Sequence, residues 1–357
     1  METMNIRKIR EVYPQTHIWC DSCAKDDLEW GIRHGVAGAT TNPVIVGSVL
    51  KKELPQWESR ITELFATMKN ASEDEVAWQL IREMGLRGAA MLKPVFEESK
   101  GAFGRVSMQT NIKNYRNADR MIQQAVEFGN LAENMQVKMP VSMAGIEAFG
   151  EVTYQGVSVN ATVSFSVAQA VAVAEAVERG LARRRAEGLP TEHMTPVCTI
   201  MLGRVDDWLK KVVKRDNIII DPECLEWAGV AVFKHAYEIF TQRGYKTRLL
   251  TAAYRNHYAW SSLIGGAVSM TMPRYYLEQV EKSTLPIEDT MSVPVNPAYI
   301  QQLREKLPDF VRAYDEDGMK PEEFEHYGAF IICLEGFFKG YDELLQMIRP
   351  YQFGKAM

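Results

Sequence analysis

Apolar and polar positions along the chain follow two periods in turn. Short runs rich in β-branched and apolar residues fall at 17–21 (HIWCD), 38–42 (GATTN), 106–110 (VSMQT), 135–139 (MQVKM), 158–164 (SVNATVS), 196–201, 247–254 (TRLLTAAY) and 267–272 (AVSMTM), and each predicts a strand. Helical periodicity fills the spaces between them, near 26–34, 118–131, from 144, 168–186 and 228–243. The Ala-rich helix over 168–186 stops at Gly188, a residue suited to the left-handed position after a helix. The connection between the second and third strands is unusually long and carries its own helices. One of them opens at Ser72 with Glu75 three residues on, the signature of a capping box. Eight strands, each followed by helical sequence, predict an α/β fold, a (β/α)8 TIM barrel with a C-terminal helical extension. A doubly wound open sheet is the competing architecture, but no G-x-G-x-x-G follows the first strand. The barrel is expected over 1–283, and a Pro-containing linker (TLPIEDTMSVPVNP) and further helices over 284–357.

Composition narrows the functional classes. Of 357 residues, 46% are apolar, enough for a sizeable core, and the formal net charge is −5. That mild acidity argues against nucleic acid or a membrane surface as partner. The run Arg183–Arg185 ends a helix and reads as a solvated face at a helix C-terminus. No stretch is apolar enough to cross a membrane, and the first residues lack the apolar core of a signal peptide, so a cytoplasmic location is expected. Five cysteines do not make a disulfide framework. Cys20 and Cys23 form a C-x-x-C with no second pair and no histidine at metal spacing, and are read as buried thiols.

Barrel enzymes carry their chemistry at the C-terminal ends of strands. Here those ends present Asp21, Asn42, Gln109, Lys138, then Asn160, Thr162 and Ser164, then Thr199 leading into Arg204, and finally Arg255. Lys138 sits in an apolar run. Alternation puts it on one face with Gln136, while Met135, Val137 and Met139 face the helices, so Lys138 points into the barrel. A desolvated lysine is partly neutral and can attack a carbonyl; the other reading is a strand-end lysine that reaches solvent. Asp21 ends an otherwise apolar strand, as a proton-transfer group or as the N-cap of the next helix. Arg204 and Arg255 offer two rigid forks for a tetrahedral anion, or two surface salt bridges.

In chain order, WCDS, GATTNP, VSMQTN, VKMP, GVSVNATVSFS, GRVDDW and AAYRN resemble the transaldolase family, and so does the C-terminal segment from YDEDGMKP to LLQMI. The resemblance covers roughly residues 18–347. It implies a (β/α)8 barrel that moves a dihydroxyacetone unit between sugar phosphates. It further implies that Lys138 forms the Schiff base, Asp21 is the acid/base, Thr162 orients a catalytic water, Asn42 and Asn160 hold hydroxyls, and Arg204 and Arg255 bind phosphate, with Ser164 and Thr199 also facing substrate. No metal or organic cofactor is implied. Three positions depart from the family pattern. Gln109 stands where transaldolases carry glutamate and where fructose-6-phosphate aldolases carry glutamine, Met201 replaces an aromatic residue, and Ala253 replaces a serine at the phosphate. The alternatives are therefore an aldolase-like lyase, an enzyme for a modified anionic sugar, or an inactive barrel with a binding role. A homo-oligomer stays open.

Overall fold

The computed structural model describes residues 4–354. All eight expected strands form: β1 His17–Cys20, β2 Gly38–Thr40, β3 Arg105–Gln109, β4 Met135–Pro140, β5 Val159–Ser164, β6 Val197–Ile200, β7 Arg248–Thr251 and β8 Ser269–Met272. Neighbours pair in parallel in sequence order, and β8 pairs with β1, so the sheet closes into a (β/α)8 barrel. Several strands end one to three residues earlier than the sequence suggests. Asp21, Asn42 and Tyr254 lie one to three residues past the ends of β1, β2 and β7. Met135, Val137 and Met139 are buried and alternate with Gln136 and Lys138, as the pattern required.

The helices start where side chains can satisfy their first N–H groups. Ser142 caps Met143–Tyr154, and Ser166 caps Val167–Ala186. Gly188, just beyond that helix, has φ +69°. The long connection from β2 to β3 holds three helices, Pro43–Lys52, Leu54–Thr67 and Glu73–Glu98, and the last opens on the expected capping box. There the Ser72 backbone N–H donates to Glu75 at 2.7 Å, and the Glu75 N–H donates to Ser72 Oγ at 3.3 Å. The β6–β7 connection contains two helices rather than the single one expected near 228–243. Leu202–Asp216 precedes Pro222–Arg243, and the two turn on Asn217 in a left-handed conformation. Arg183 and Arg184 lie in the last turn of their helix, against Glu151, Tyr154 and Pro190. Cys20 and Cys23 are buried thiols, and no cluster of three metal-binding side chains forms among the described residues. Among those residues no helix is long and apolar enough to cross a membrane.

The linker after Lys282 is fastened by a buried lysine. Lys234 Nζ donates to the carbonyls of Thr290 at 2.8 Å and Val293 at 2.5 Å. Beyond it, Pro297–Lys306, Pro308–Tyr314 and Gly328–Gln352 complete the extension. The last of these lies over the C-terminal end of the barrel, packed on Pro43–Lys52, Glu73–Glu98 and Leu202–Asp216. Tyr341 Oη donates to Asp74 at 2.8 Å, and Trp208 Nε1 donates to Asp309 at 2.9 Å.

The cap at Ser72 makes a direct prediction. Ser72→Ala should lower unfolding free energy by about 1 kcal/mol, whereas Ser72→Asp should leave it nearly unchanged, as measured by urea denaturation.

Candidate active site

Register fixes which side chains meet inside the barrel. Gln109 on β3 is opposite Lys138 on β4, and Lys138 is opposite Asn160 on β5. In a parallel sheet such neighbours share a face, so three polar groups stand side by side at the C-terminal end of the interior. Asn160 also joins Ser107 and Thr199 in a hydrogen-bonded set. Asn160 Nδ2 donates to Ser107 Oγ at 2.7 Å, and Thr199 Oγ1 donates to Asn160 Oδ1 at 2.7 Å. Asn160 keeps one N–H for another partner. The Thr199 hydroxyl proton is already committed, so Thr199 positions Asn160 rather than facing outward to a ligand.

Asp21 is not a helix cap: the N-cap of Lys25–His34 is Ala24. Its Oδ1 accepts from Thr40 Oγ1 at 2.5 Å, and Thr40 Oγ1 lies 2.6 Å from Thr271 Oγ1. Thr40 has one hydroxyl proton and Asp21 takes it, so Thr271 is the donor to Thr40. Burial pushes the Asp21 carboxyl above its ordinary value, while the Lys138 charge and the Thr40 bond pull it down. Burial likewise pushes the Lys138 amine down, against the opposing pull of Asp21 and Cys333. Lys138 is only 4% exposed, so it does not reach solvent. The cleft thus holds an amine and a carboxyl group, each driven toward its neutral form by desolvation and each favouring the charged form of the other.

Gln109 is fully buried, and neither its Nε2 nor its Oε1 has a protein partner. Thr162 is buried two residues beyond Asn160 on β5, 4.0 Å from Met201 Sδ. Met201 Sδ also lies 3.7 Å from Cys333 Sγ, on the helix Gly328–Gln352. Burial raises the Cys333 thiol to about 11, with Arg204 and Lys138 pulling it down. Cys333 therefore belongs to this site, and sequence reasoning missed it because it lies far from any strand end. Tyr254 was missed too. It is buried in the field of Asp21, with its hydroxyl bonded to Thr251.

Ser164 is not brought to Lys138. Val163 takes a left-handed backbone, φ +56°, and the β5–β6 register shifts between Ala161 and Ser164. The resulting bulge re-aims the side chain. The Ser164 hydroxyl lies with the Cys198 thiol, on the face of β6 opposite Thr199. Asn42 sits at the mouth but caps the next helix, since its Oδ1 accepts from Ile45 N at 2.9 Å. Its two amide N–H groups remain available to a ligand.

Arg204 and Arg255 are brought close by a tight crossing. A Cβ on Gly203 would lie 1.8 Å from the Ala253 carbonyl oxygen and 2.9 Å from Arg255 Cγ, so only glycine fits there. Ala253 itself has φ +63°. Arg255 is held by Asp207 through Nε at 2.9 Å and Nη2 at 2.6 Å, and by the Tyr254 carbonyl through Nη1 at 2.9 Å. Arg204 Nε is buried without a partner.

A closed (β/α)8 barrel with an amine and a carboxyl desolvated together at its C-terminal end is the architecture of a barrel enzyme. The family model described as transaldolase/fructose-6-phosphate aldolase matches residues 18–323, and the chain belongs to that family. A transaldolase of Thiobacillus denitrificans is 26% identical over 336 residues, 91% of this chain and 92% of that one. A transaldolase of Thermobifida fusca is 27% identical over 288 residues, 77% of this chain and 73% of its own. One of Mycobacterium tuberculosis is 28% identical over 240 residues, 63% of this chain and 62% of its own, so that match spans less than two thirds of the relative.

The hydrogen-bond chain at Asp21 can be tested directly. Thr40→Val removes a bond that holds the carboxyl pKa down, so the Asp21 titration should move upward. Thr271→Val, which leaves the Thr40–Asp21 bond in place, should move it less. Carboxyl-carbon NMR titration of the two variants reads both shifts.

Proposed function

We propose that this chain transfers a dihydroxyacetone unit between sugar phosphates through a Schiff base on Lys138. The observation that carries the reading is the buried Lys138 amine beside Asp21, with Gln109 and Asn160 on either side of it. The neutral amine adds to the ketose carbonyl, and loss of water gives the imine. The protonated imine then acts as electron sink. Asp21, as carboxylate, takes the proton of the donor hydroxyl while the adjacent C–C bond breaks, and an aldehyde leaves. The three-carbon carbanion stays on Lys138 until an acceptor aldehyde arrives. Asp21 then returns the proton to the new hydroxyl, and water releases the product and the free amine.

In this reading the free N–H groups of Asn42 and Asn160 hold substrate hydroxyls, with Thr199 positioning Asn160. Thr162 orients the water that shuttles protons. Arg204, with Arg255 braced by Asp207, binds the anionic tail. Ala253 supplies no hydroxyl to that tail, so two guanidinium groups carry recognition of the anion. Ser164, turned toward Cys198, is given no role.

Gln109 supports a second activity from the same intermediate. Its amide is buried and unpaired, so it can hold a water next to the carbanion, but it cannot accept a proton. Protonation of the carbanion by that water gives the imine of dihydroxyacetone on Lys138, and its hydrolysis by a second water releases dihydroxyacetone and the free amine, which is aldolase-type cleavage.

Lys138 should be converted to a secondary amine when borohydride is added with a ketose phosphate, as read by peptide mapping. The trapping rate should rise with pH through an apparent pKa below the ordinary lysine value of 10.5. Lys138→Arg should abolish the adduct, and an adduct on another lysine would refute the assignment. For Gln109→Glu, parallel assays of free dihydroxyacetone and exchanged sugar should show a changed ratio of cleavage to transfer, with the Lys138 adduct retained. An unchanged ratio would remove position 109 from control of the carbanion.

A further inference from the structure

The opposite end of the barrel holds a second concentration of positive charge that the proposed reaction does not use. Arg105 opens β3 and Arg248 opens β7, strands that face each other across the closed ring. Both side chains line one cavity of about 320 Å³ at the N-terminal end, with Trp19, Thr195, Lys246 and Ser269. Arg105 is four residues before Gln109, or about 13 Å along the strand at ~3.3 Å per residue. Ser107 lies between the two on β3, bonded to Asn160. The cavity is therefore separate from the Lys138 cleft.

Neither guanidinium forms an ion pair with a carboxylate among the described residues, although the Glu133 carboxylate lies in the field of Arg105. Arg105 donates to the carbonyls of Glu133 at 3.3 Å and His193 at 2.8 Å, and packs over the Phe96 ring at 5.0 Å. Arg248 donates to the carbonyls of Gln15 at 2.7 Å and Val268 at 3.4 Å. Arg105 is 7% exposed. Carbonyl dipoles soften such a charge but do not neutralise it, and a buried charge without a counter-ion is costly. Glu192 is the one carboxylate lining the cavity. It accepts from the Thr191 N–H at 3.0 Å and lies in the field of Lys246, so three cations face one anion. His17 adds no negative charge. Burial and Arg248 push it down to about 3, so it is neutral at pH 7.

Four donors lining the same cavity are buried and have no partner among the described residues: Trp19 Nε1, Arg105 Nε, Thr195 Oγ1 and Ser269 Oγ. They come from β1, from β3, from the segment before β6 and from β8, so they converge on the barrel axis from several directions. Water could satisfy those donors, but it could not balance the two guanidinium groups. An oxyanion does both, because its oxygens accept hydrogen bonds while its charge offsets theirs.

We propose that this cavity is a second anion site, taking one small tetrahedral oxyanion of the phosphate class between Arg105 and Arg248. Its test must be blind to the proposed phosphate contacts at the mouth, so the first arm uses the full chain carrying Arg204→Ala and Arg255→Ala. Titration calorimetry with inorganic phosphate should still show one ion bound per chain. Adding Arg248→Met should weaken that binding at least tenfold. Loss of binding in the Arg204→Ala/Arg255→Ala protein, or binding that ignores Arg248→Met, overturns the proposal. The second arm needs no substitution and covers the case in which Arg248→Met does not fold. Crystals of the unaltered protein soaked in tungstate should give an anomalous peak between Arg105 and Arg248. Absence of that peak at saturating tungstate, whether or not the mouth is occupied, overturns the site. Neither arm depends on Schiff-base chemistry at Lys138, so failure here and failure of the proposed function are separable.

Discussion

The desolvation of Lys138 is the constraint around which the upper barrel is arranged. An ammonium taken from water into a protein interior costs several kcal/mol unless it is paired. Lys138 is placed between Gln109 and Asn160, neutral groups that cannot balance its charge, and Asp21 is the carboxylate that opposes it. Burial lowers the Lys138 pKa and raises that of Asp21, while each charge favours the charged form of the other. Desolvation of this kind costs stability, and in the proposed reaction it suits a group that serves as a free amine at one step and a cationic imine at the next.

The remaining polar groups of the interior divide into two kinds. Ser107, Asn160 and Thr199 satisfy one another, as do Asp21, Thr40 and Thr271. Closed sets of this kind fix rotamers and leave few groups to reorganise during a reaction. Gln109 and Arg204 Nε are left open. Buried polar atoms without partners are destabilising, and in native structures they concentrate where a ligand or water completes them. The open atoms at this end of the barrel lie where the proposed reaction needs substrate and water.

Much of this was legible in the sequence because strand alternation is rigid. Lys138 with Gln136 on one face and Met135, Val137 and Met139 on the other can be read off the sequence, and the barrel follows from eight such segments. What was not legible depends on local backbone geometry or on distant packing. Asp21 does not take the capping role its position allowed, because the chain runs on three residues past it before turning helical and Ala24 becomes the N-cap. Ser164 follows a bulge at Val163, and alternation fails across a left-handed residue. The helix Leu202–Asp216 begins within the segment that sequence reasoning treated only as the exit of β6. Cys333 approaches from a helix more than 130 positions after Met201, and no local pattern reports such a contact.

That same helix, Leu202–Asp216, joins recognition of the anion to closure of the barrel. Its first turns carry Arg204 and Asp207, and Asp207 grips Arg255 from the loop after β7. One position further along, Trp208 bonds Asp309 in the C-terminal extension. Met201, its N-cap, meets Cys333 on the closing helix. Gly203 lets the β7 loop cross at a distance no side chain would permit, so the helix cannot shift without moving Ala253 and Arg255. The two mouth arginines and the packing of the closing helix therefore share one rigid element. If Arg204 and Arg255 hold the anionic tail, as proposed, that tail is read by the part of the barrel that also packs against the helix over Lys138. A ligand that binds Arg204 and Arg255 in only one position of Leu202–Asp216 would bias the closing helix as well, since an equilibrium shifts only by the difference in affinity for its two states.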